Sequence, residues 1–571
     1  MLTSCNPDCP FTLRGYFMLT RTSPETIERS RRHTDCLILG YYESSFSDHL
    51  DRLRSRGDRS SGYRGLNLTY VDFEGRPYRS MDLLNRFYFE GRKGSRPPFH
   101  NTDFIWPTIF YLGTYLARRG FTFDYVNSVH FNAESLRSKL ENDDIVIVAI
   151  TTTLYVWQQP IVELISFIRA HNVRVKIVVG GPYISVLPDL LSPEALDWEF
   201  RALGADYYVL SNEGEQTLAN VLQACKSGGD LDRVPNLAYR KPDGSYVRTP
   251  SRPESNPLDE NMVDYSLFPK NEIGQFVTIR TAKSCPFQCA FCNFPQRGGA
   301  YTYLPVELVE KELDALNEIG TVTTVTFIDD TLNVPKPRFR DILRLMIRKK
   351  YGFRWNSFYR CDQGDEETIK LMAEAGCEGV FLGVESGSDE MLARMNKTSR
   401  RKHYAQAIPQ LQKAGISVHA NFIIGFPGET EHTVRETISL IEEAQPDFYR
   451  AHLWHAGPDT PVWKRKDEFR LSGGIFDWSH YTMDHRTASD LVDDLFLNIR
   501  NSVWLPRDSF EQWSTFYLQR HGMTMDRIKA FLRNFNAAVA QKLAAPGKRG
   551  IDPVLLQGMR QACRFDVAEP V

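Results

Sequence analysis

Three cysteines carry the most distinctive chemistry in this chain. The segment SCPFQCAFCNFP holds Cys285, Cys289 and Cys292 in a C-x3-C-x2-C spacing. Thiolates are soft, strong ligands for zinc and for iron–sulfur clusters. Three of them in one loop can hold three irons of a [4Fe–4S] cubane and leave the fourth iron open. An open position is what a reaction needs, as distinct from electron storage. A zinc knuckle asks for a fourth Cys or His nearby, and none lies within twenty residues. A ferredoxin loop asks for a fourth closely spaced cysteine, which is also missing. Cys36, Cys225, Cys361, Cys377 and Cys563 stand among apolar neighbours and read as small buried side chains. Cys5 and Cys9 form a loose pair that reads as part of a disordered N-terminal segment, with metal ligation the alternative. Ten cysteines in 571 residues do not suggest a disulfide scaffold.

The cysteine loop follows the apolar run FVTIRTAKSC (276–285), the first of a series. VTTVTFIDD (322–330), FRWNSFYRCD (353–362), GVFLGVESG (379–387), ISVHANFIIGFPGE (416–429) and FYRAHLWHAGP (448–458) continue it. Each ends in polar residues, and helical stretches such as 305–320 and 366–376 separate them. Six β/α units predict a partial TIM-type barrel over 271–486, with chemistry at the C-terminal strand ends. Upstream, CLILG (36–40), IVIVAI (145–150), VKIVVGG (175–181) and ADYYVL (205–210) read as buried parallel strands. Helical runs at 107–120, 160–172 and 217–225 alternate with them, which predicts a Rossmann-like doubly wound sheet over 36–230. Residues 50–100 show weak periodicity and read as an insertion or long loop beneath that sheet. The fold class is thus α/β: an N-terminal segment (1–35), the doubly wound domain, a polar proline-rich linker (231–270), the barrel, and a helical C-terminal region (487–571) without evident chemistry.

C-x3-C-aromatic-x-C after a strand that opens a β/α series, with Phe291 at the aromatic position, resembles the signature of radical S-adenosylmethionine (SAM) enzymes. The resemblance implies that the open iron chelates the amino and carboxylate groups of SAM, and that one electron cleaves the sulfonium to a 5′-deoxyadenosyl radical. It implies SAM contacts from Asp329 and Asp330 after the second strand, and from Arg360 beside Asp362 after the third. Glu385 and Ser386 in GVESGS, and Gly425 in GFPGET, extend the set to the fourth and fifth strands. The chain departs from the family at the second strand, where FIDDT replaces Gly-Gly-Glu, and this weakens the assignment of contacts there.

A doubly wound sheet can take a dinucleotide, a flavin or cobalamin. No G-x-G-x-x-G follows its first strand, so a dinucleotide is poorly supported. Small and polar residues fall instead after later strands: Thr151, Thr152, Thr153 and Leu154, then Gly180, Gly181 and Pro182, then Glu213, Gly214 and Glu215. This layout resembles the cobalamin-binding domain joined to many radical SAM proteins, in which VGGP is familiar. The resemblance implies that these loops enclose the nucleotide tail and the corrin edge, where backbone must approach a bulky planar group closely. The Asp-x-His-x-x-Gly of cobalamin mutases is missing, so cobalt should receive no His from this domain. A Rossmann-like domain with empty crevices is the competing reading.

Together these motifs imply a cobalamin-dependent radical SAM methyltransferase of secondary metabolism, most like the C- and P-methyltransferases. It would methylate an unactivated C–H or P–H position of a small molecule. Tyr359, Arg450, His452, Trp454 and His455 are the candidate substrate contacts. A non-methylating ring formation or rearrangement with the same cofactors is the alternative. An RNA methylthiotransferase would need a second cysteine cluster and a basic tail, and a bare electron carrier would not need the ordered carboxylates. A flavodoxin or ferredoxin is the expected electron donor. Net charge is −2, with no long basic run to attract nucleic acid or a membrane surface. Without a signal peptide or an 18-residue apolar span, the chain reads as cytoplasmic.

Overall fold

His33–Tyr41 buries every residue between its two ends, as a strand covered on both faces must. It is the second strand of a seven-stranded sheet in the computed structural model, which describes residues 31–57, 59–92, 96–100, 102–545 and 550–567. Cys5 and Cys9 lie outside these residues. The sheet runs Phe123–Ser128, His33–Tyr41, Asp144–Thr151, Lys176–Gly180, Tyr207–Val209, then Leu237–Arg240 and Tyr246–Arg248. The first five strands are parallel and the last two antiparallel. In chain order the parallel strands stand 2-1-3-4-5, a doubly wound arrangement whose switch point lies between His33–Tyr41 and Asp144–Thr151. The antiparallel hairpin comes from the segment read as a linker. Phe123–Ser128 was not expected: its burial pattern begins with three half-buried residues, so it lacks the continuous apolar run of its neighbours.

The second sheet is a parallel series of Phe276–Ile279, Thr324–Phe327, Arg354–Phe358, Cys377–Glu385, Ser417–Ile424, Phe448–Leu453 and Val503–Trp504. Its outer strands pair on one side only, so the barrel is open. The seventh strand belongs to the stretch read as mostly helical, and two residues are too few to show a period. Arg450, on the sixth strand, anchors the chain just beyond the seventh. Its guanidinium donates to the carbonyls of Leu505 (3.0 Å), Pro506 (2.7 Å) and Phe510 (2.8 Å).

Helix Pro107–Ala117 lies between the sheets, with Phe110 buried against Tyr265 and Phe268. One apolar core continues from Cys36 through the barrel to Phe565. Residues 50–100 form helices Phe46–Arg54, Ser61–Asn67 and Ser80–Tyr88 around the hairpin Tyr70–Phe73/Arg76–Arg79. This lobe meets the C-terminal helices. Lys542, on Met525–Ala544, donates to the carbonyls of Asn67 and Tyr70, and Arg560 pairs with Glu90. Among the described residues, no helix is long and apolar enough to cross a membrane.

Arg450→Met should leave three buried carbonyls without a donor and cost about 3 kcal/mol or more. The expected readout is a lower urea midpoint with an unchanged far-ultraviolet spectrum. An unchanged midpoint would show that the clasp is dispensable.

Candidate active site

The cysteine loop is staked from several strand ends. Ala290 N donates to Met395 O (2.8 Å), Val462 N to Ala290 O (2.9 Å), and Asn396 Nδ2 to Gln288 O (2.6 Å). The Arg360 guanidinium lies 3.6 Å from the ring centre of Phe287. Asp362 and Thr398 hold it in that position. Asn293 bonds Asp459, and Phe291 packs on the core. All three thiols are half-buried and free. Burial pushes Cys292 up to about 11, and Cys289, Asp330 and Cys285 add to the rise. Two cations stand beside Cys289. Burial opposes the charge of Lys397, but Tyr404, Glu385 and Cys289 hold it protonated, and Arg360 keeps its charge beside Asp362. Three thiols in one loop with compensating cations suit an iron–sulfur cluster.

The strand-end residues divide into accessible and committed groups. Asp330 is accessible, but burial and then its neighbour Asp329 push its carboxyl up to about 7. Glu385 ends the fourth barrel strand at φ +69° with Oε1 3.3 Å from Lys397 Nζ. Asp329 is a correction to the expected contacts. It is buried and accepts from Thr281 N (2.7 Å), Thr281 Oγ1 (2.5 Å) and Ala282 N (2.8 Å), so it shapes the end of strand one instead of facing a ligand. Ser386 is likewise fully buried against Thr437 and Ser388. Gly425 is enclosed: its N–H donates to Glu429, its carbonyl accepts from His480 (3.0 Å), and an added Cβ would meet Trp478 at 2.5 Å.

A cavity of about 510 Å³ lies between the first sheet and the barrel mouth. Thr151, Thr153, Leu154, Gly180, Gly181, Pro182, Glu213, Gly214 and Glu215 line one wall. Arg280, Lys283, Phe294 and Arg297 line the other, with Gln512 and Trp513 from the C-terminal region. The walls are tied by the Lys283–Glu213 ion pair and by Arg297, which donates to Asn212 Oδ1 (3.1 Å) and Ser185 Oγ (2.5 Å). Thr152 does not line it. Its buried hydroxyl donates to Gly180 O (2.9 Å) and accepts from Tyr183 N (3.2 Å), propping the glycine loop. Gly181 sits at φ +106°, and a Cβ there would stand 2.8 Å from Thr152 Oγ1. Only glycine is comfortable at that position.

Across the Pro182 loop a second cavity, about 610 Å³, gathers His452 and His455 with Trp157, Trp504 and Arg507. Burial keeps His452 neutral, as do nearby Arg507 and Arg450. His455 opens onto the cavity, but the protein mass around it lowers it to about 4. Arg450 reaches the cavity wall with its guanidinium committed to three carbonyls. Trp454 is buried against Phe426 and Trp478, and Tyr359 is buried with its hydroxyl unpartnered; neither lines either of these two cavities. Sequence reasoning missed Arg280, Lys283, Arg297 and Arg507, because a lone basic residue outside a motif looks like any solvated one.

A parallel β/α barrel whose first strand runs into a staked three-cysteine loop is the build of a radical SAM domain. The chain carries one: residues 279–441 match the Radical SAM superfamily. The chain is similar to an uncharacterized methyltransferase of Pyrococcus horikoshii, 28% identical over 60% of this chain and 73% of that protein. It is similar also to the anaerobic magnesium-protoporphyrin IX monomethyl ester cyclase of Rubrivivax gelatinosus, 25% identical over 75% of this chain and 79% of that one. Its fold resembles that of the radical SAM methyltransferase TsrM from Kitasatospora setae, solved with cobalamin and a [4Fe-4S] cluster bound. The TM-score is 0.52 at 21% identity, over 66% of this chain and 76% of that one.

Glu429 gives this region a pH dependence. It is fully buried with Oε1 unpartnered, and burial pushes its carboxyl from 4.5 to about 8. The folded state therefore binds this proton more tightly than the unfolded chain does. The group's contribution is fully present below pH 4.5 and is lost as pH rises through about 8. The slope is up to about 1.4 kcal/mol per pH unit. Glu429→Gln should remove it, so that unfolding curves show the variant gaining on the parent from pH 5 to pH 8. A constant difference between the two would show that Glu429 is ionised in the fold.

Proposed function

We propose that this chain is a cobalamin-dependent radical SAM methyltransferase acting on a small molecule. The observation that carries the reading is the 510 Å³ cavity, where the glycine and threonine loops of a doubly wound sheet face the mouth of a radical SAM barrel. TsrM, of similar fold, was solved with cobalamin and a cluster. Cys285, Cys289 and Cys292 would hold the cluster, with exposed Asp330 and Lys397-paired Glu385 as the carboxylates for SAM. Thr151, Thr153, Gly180, Gly181 and the 213–215 loop would enclose cobalamin. Bound there, the cluster and SAM supply a hydrogen-abstracting carbon radical, and cobalamin supplies a methyl carrier.

The chain's own residues do the positioning. Arg360 and Lys397 balance thiolate charge at Cys289, and the loop's backbone bonds keep the three sulfurs in register. The Lys283–Glu213 and Arg297–Ser185 contacts hold the two walls at fixed separation and narrow the entry of water. His452 and His455, neutral, are suited to accept or donate a hydrogen bond to the substrate in the second cavity. Arg507, on the wall of that cavity, offers a charge for an anionic group. A ring-forming reaction is the second reading, favoured by the similarity to the Rubrivivax cyclase. A flavodoxin or ferredoxin is the proposed electron donor.

Cys289→Ala should reduce the reconstituted iron from about four per chain to background and abolish 5′-deoxyadenosine formation. Persistent SAM cleavage in that variant would overturn the cluster assignment. Gly181→Val should expel corrinoid while deoxyadenosine still forms, with no product heavier by a methylene unit. Product mass from the parent protein separates methylation from ring formation. Corrinoid retained by Gly181→Val would remove the glycine loop from the cobalamin site.

A further inference from the structure

Away from the cysteines, the first domain holds another set of metal-type ligands. Glu43 follows strand His33–Tyr41, His130 follows Phe123–Ser128, and His100 lies on the segment leading to helix Pro107–Ala117. One carboxylate oxygen and one nitrogen from each imidazole all lie within 4.8 Å of one another. The three side chains are half-buried. Each ring is held at Nδ1, His100 by Thr102 Oγ1 at 2.8 Å and by the Thr102 N–H, from which it accepts at 3.2 Å, and His130 by Ser128 Oγ at 3.3 Å. The two hydroxyls are themselves 3.4 Å apart. A metal would take the Nε2 atoms, which for His100 moves the ring proton to Nδ1, facing Thr102 Oγ1. His100 Nε2 is 3.2 Å from Glu43 Oε2, and His130 Nε2 is buried with no hydrogen-bond partner.

The charge balance admits a cation. Arg79 contacts Glu43 Oε1 while its fork also grips Asp82 at 2.8 and 3.0 Å. Two carboxylates against one guanidinium leave one negative charge in excess. Two imidazoles and a carboxylate, each imidazole with an outer hydroxyl, make a donor set for a zinc-class ion.

We propose that Glu43, His100 and His130 bind one divalent zinc-class ion as a structural staple. It ties three loops around Tyr41, whose ring lies 6.3 and 6.2 Å from the two imidazoles and stacks on Tyr155. The test compares the full-length parent with His130→Asn, His100→Gln and Thr102→Val. Each is exposed to zinc sulfate, desalted and measured by plasma mass spectrometry, with cobalt(II) as an absorbing probe. All four proteins carry the same cysteines, so the difference between them isolates this site. The parent should hold one zinc more than either His variant. Thr102→Val should bind about 10–100-fold more weakly, because it loses only the outer hydroxyl. Equal zinc in the parent and His130→Asn overturns the site. Should a His variant fail to fold, unchanged affinity in Thr102→Val overturns it equally.

Discussion

The Arg280 amide donates to the Tyr111 hydroxyl across 2.9 Å, and the Arg280 guanidinium lies 4.7 Å from the same ring. This contact joins helix Pro107–Ala117, packed on the first sheet, to the end of the first barrel strand. Two parallel sheets share a cavity only when their carboxyl ends face each other, and loops at those ends are where such sheets bind ligands. With Tyr111 in place, the 180–182 and 213–215 loops look across at Lys283 and Arg297. The cysteine loop, a few residues beyond Arg280, is thereby fixed relative to both domains.

Around that joint, charge is buried only where it is answered. Asp329 is spent on Thr281 and Ala282, and Arg338 donates to Thr281 and to Leu304 O. Three polar groups thus lock the turn that launches the cysteine loop. Asp330, one residue on, has no such company and keeps a perturbed, accessible carboxyl. Burying an unpaired charge is expensive, so the exposed, unanswered carboxyl is the one free for a ligand.

The sequence made the repeating parts readable. Strands such as IVIVAI and VKIVVGG are buried on both faces and show as unbroken apolar runs, and the cysteine spacing announces itself. What could not be read was set by tertiary context. Asp329 and Asp330 are chemically identical neighbours, and only the fold decides that one turns inward. Arg450 looked like a substrate contact because it sits on a barrel strand, whereas three carbonyls from residues 505–510 claim it. Val503–Trp504 is too short to show alternation. Its recruitment places Arg507 and Trp504 at a cavity from a region whose sequence reads as mostly helical.

The C-terminal helices grip the lobe formed around residues 46–90, through contacts that span 470 positions of chain or more, such as Arg560 to Glu90 and Lys542 to Asn67. A ribosome releases the chain from its amino end, so this lobe waits for its brace until synthesis is nearly finished. Pairings between such distant segments form slowly, because the loop they close costs entropy before any contact repays it. The interdomain cavity, walled partly by Gln512 and Trp513, is completed at the same late moment. Its contents are therefore acquired by the finished polypeptide, and a chain cut short before residue 512 would present a trough where the whole protein has a chamber.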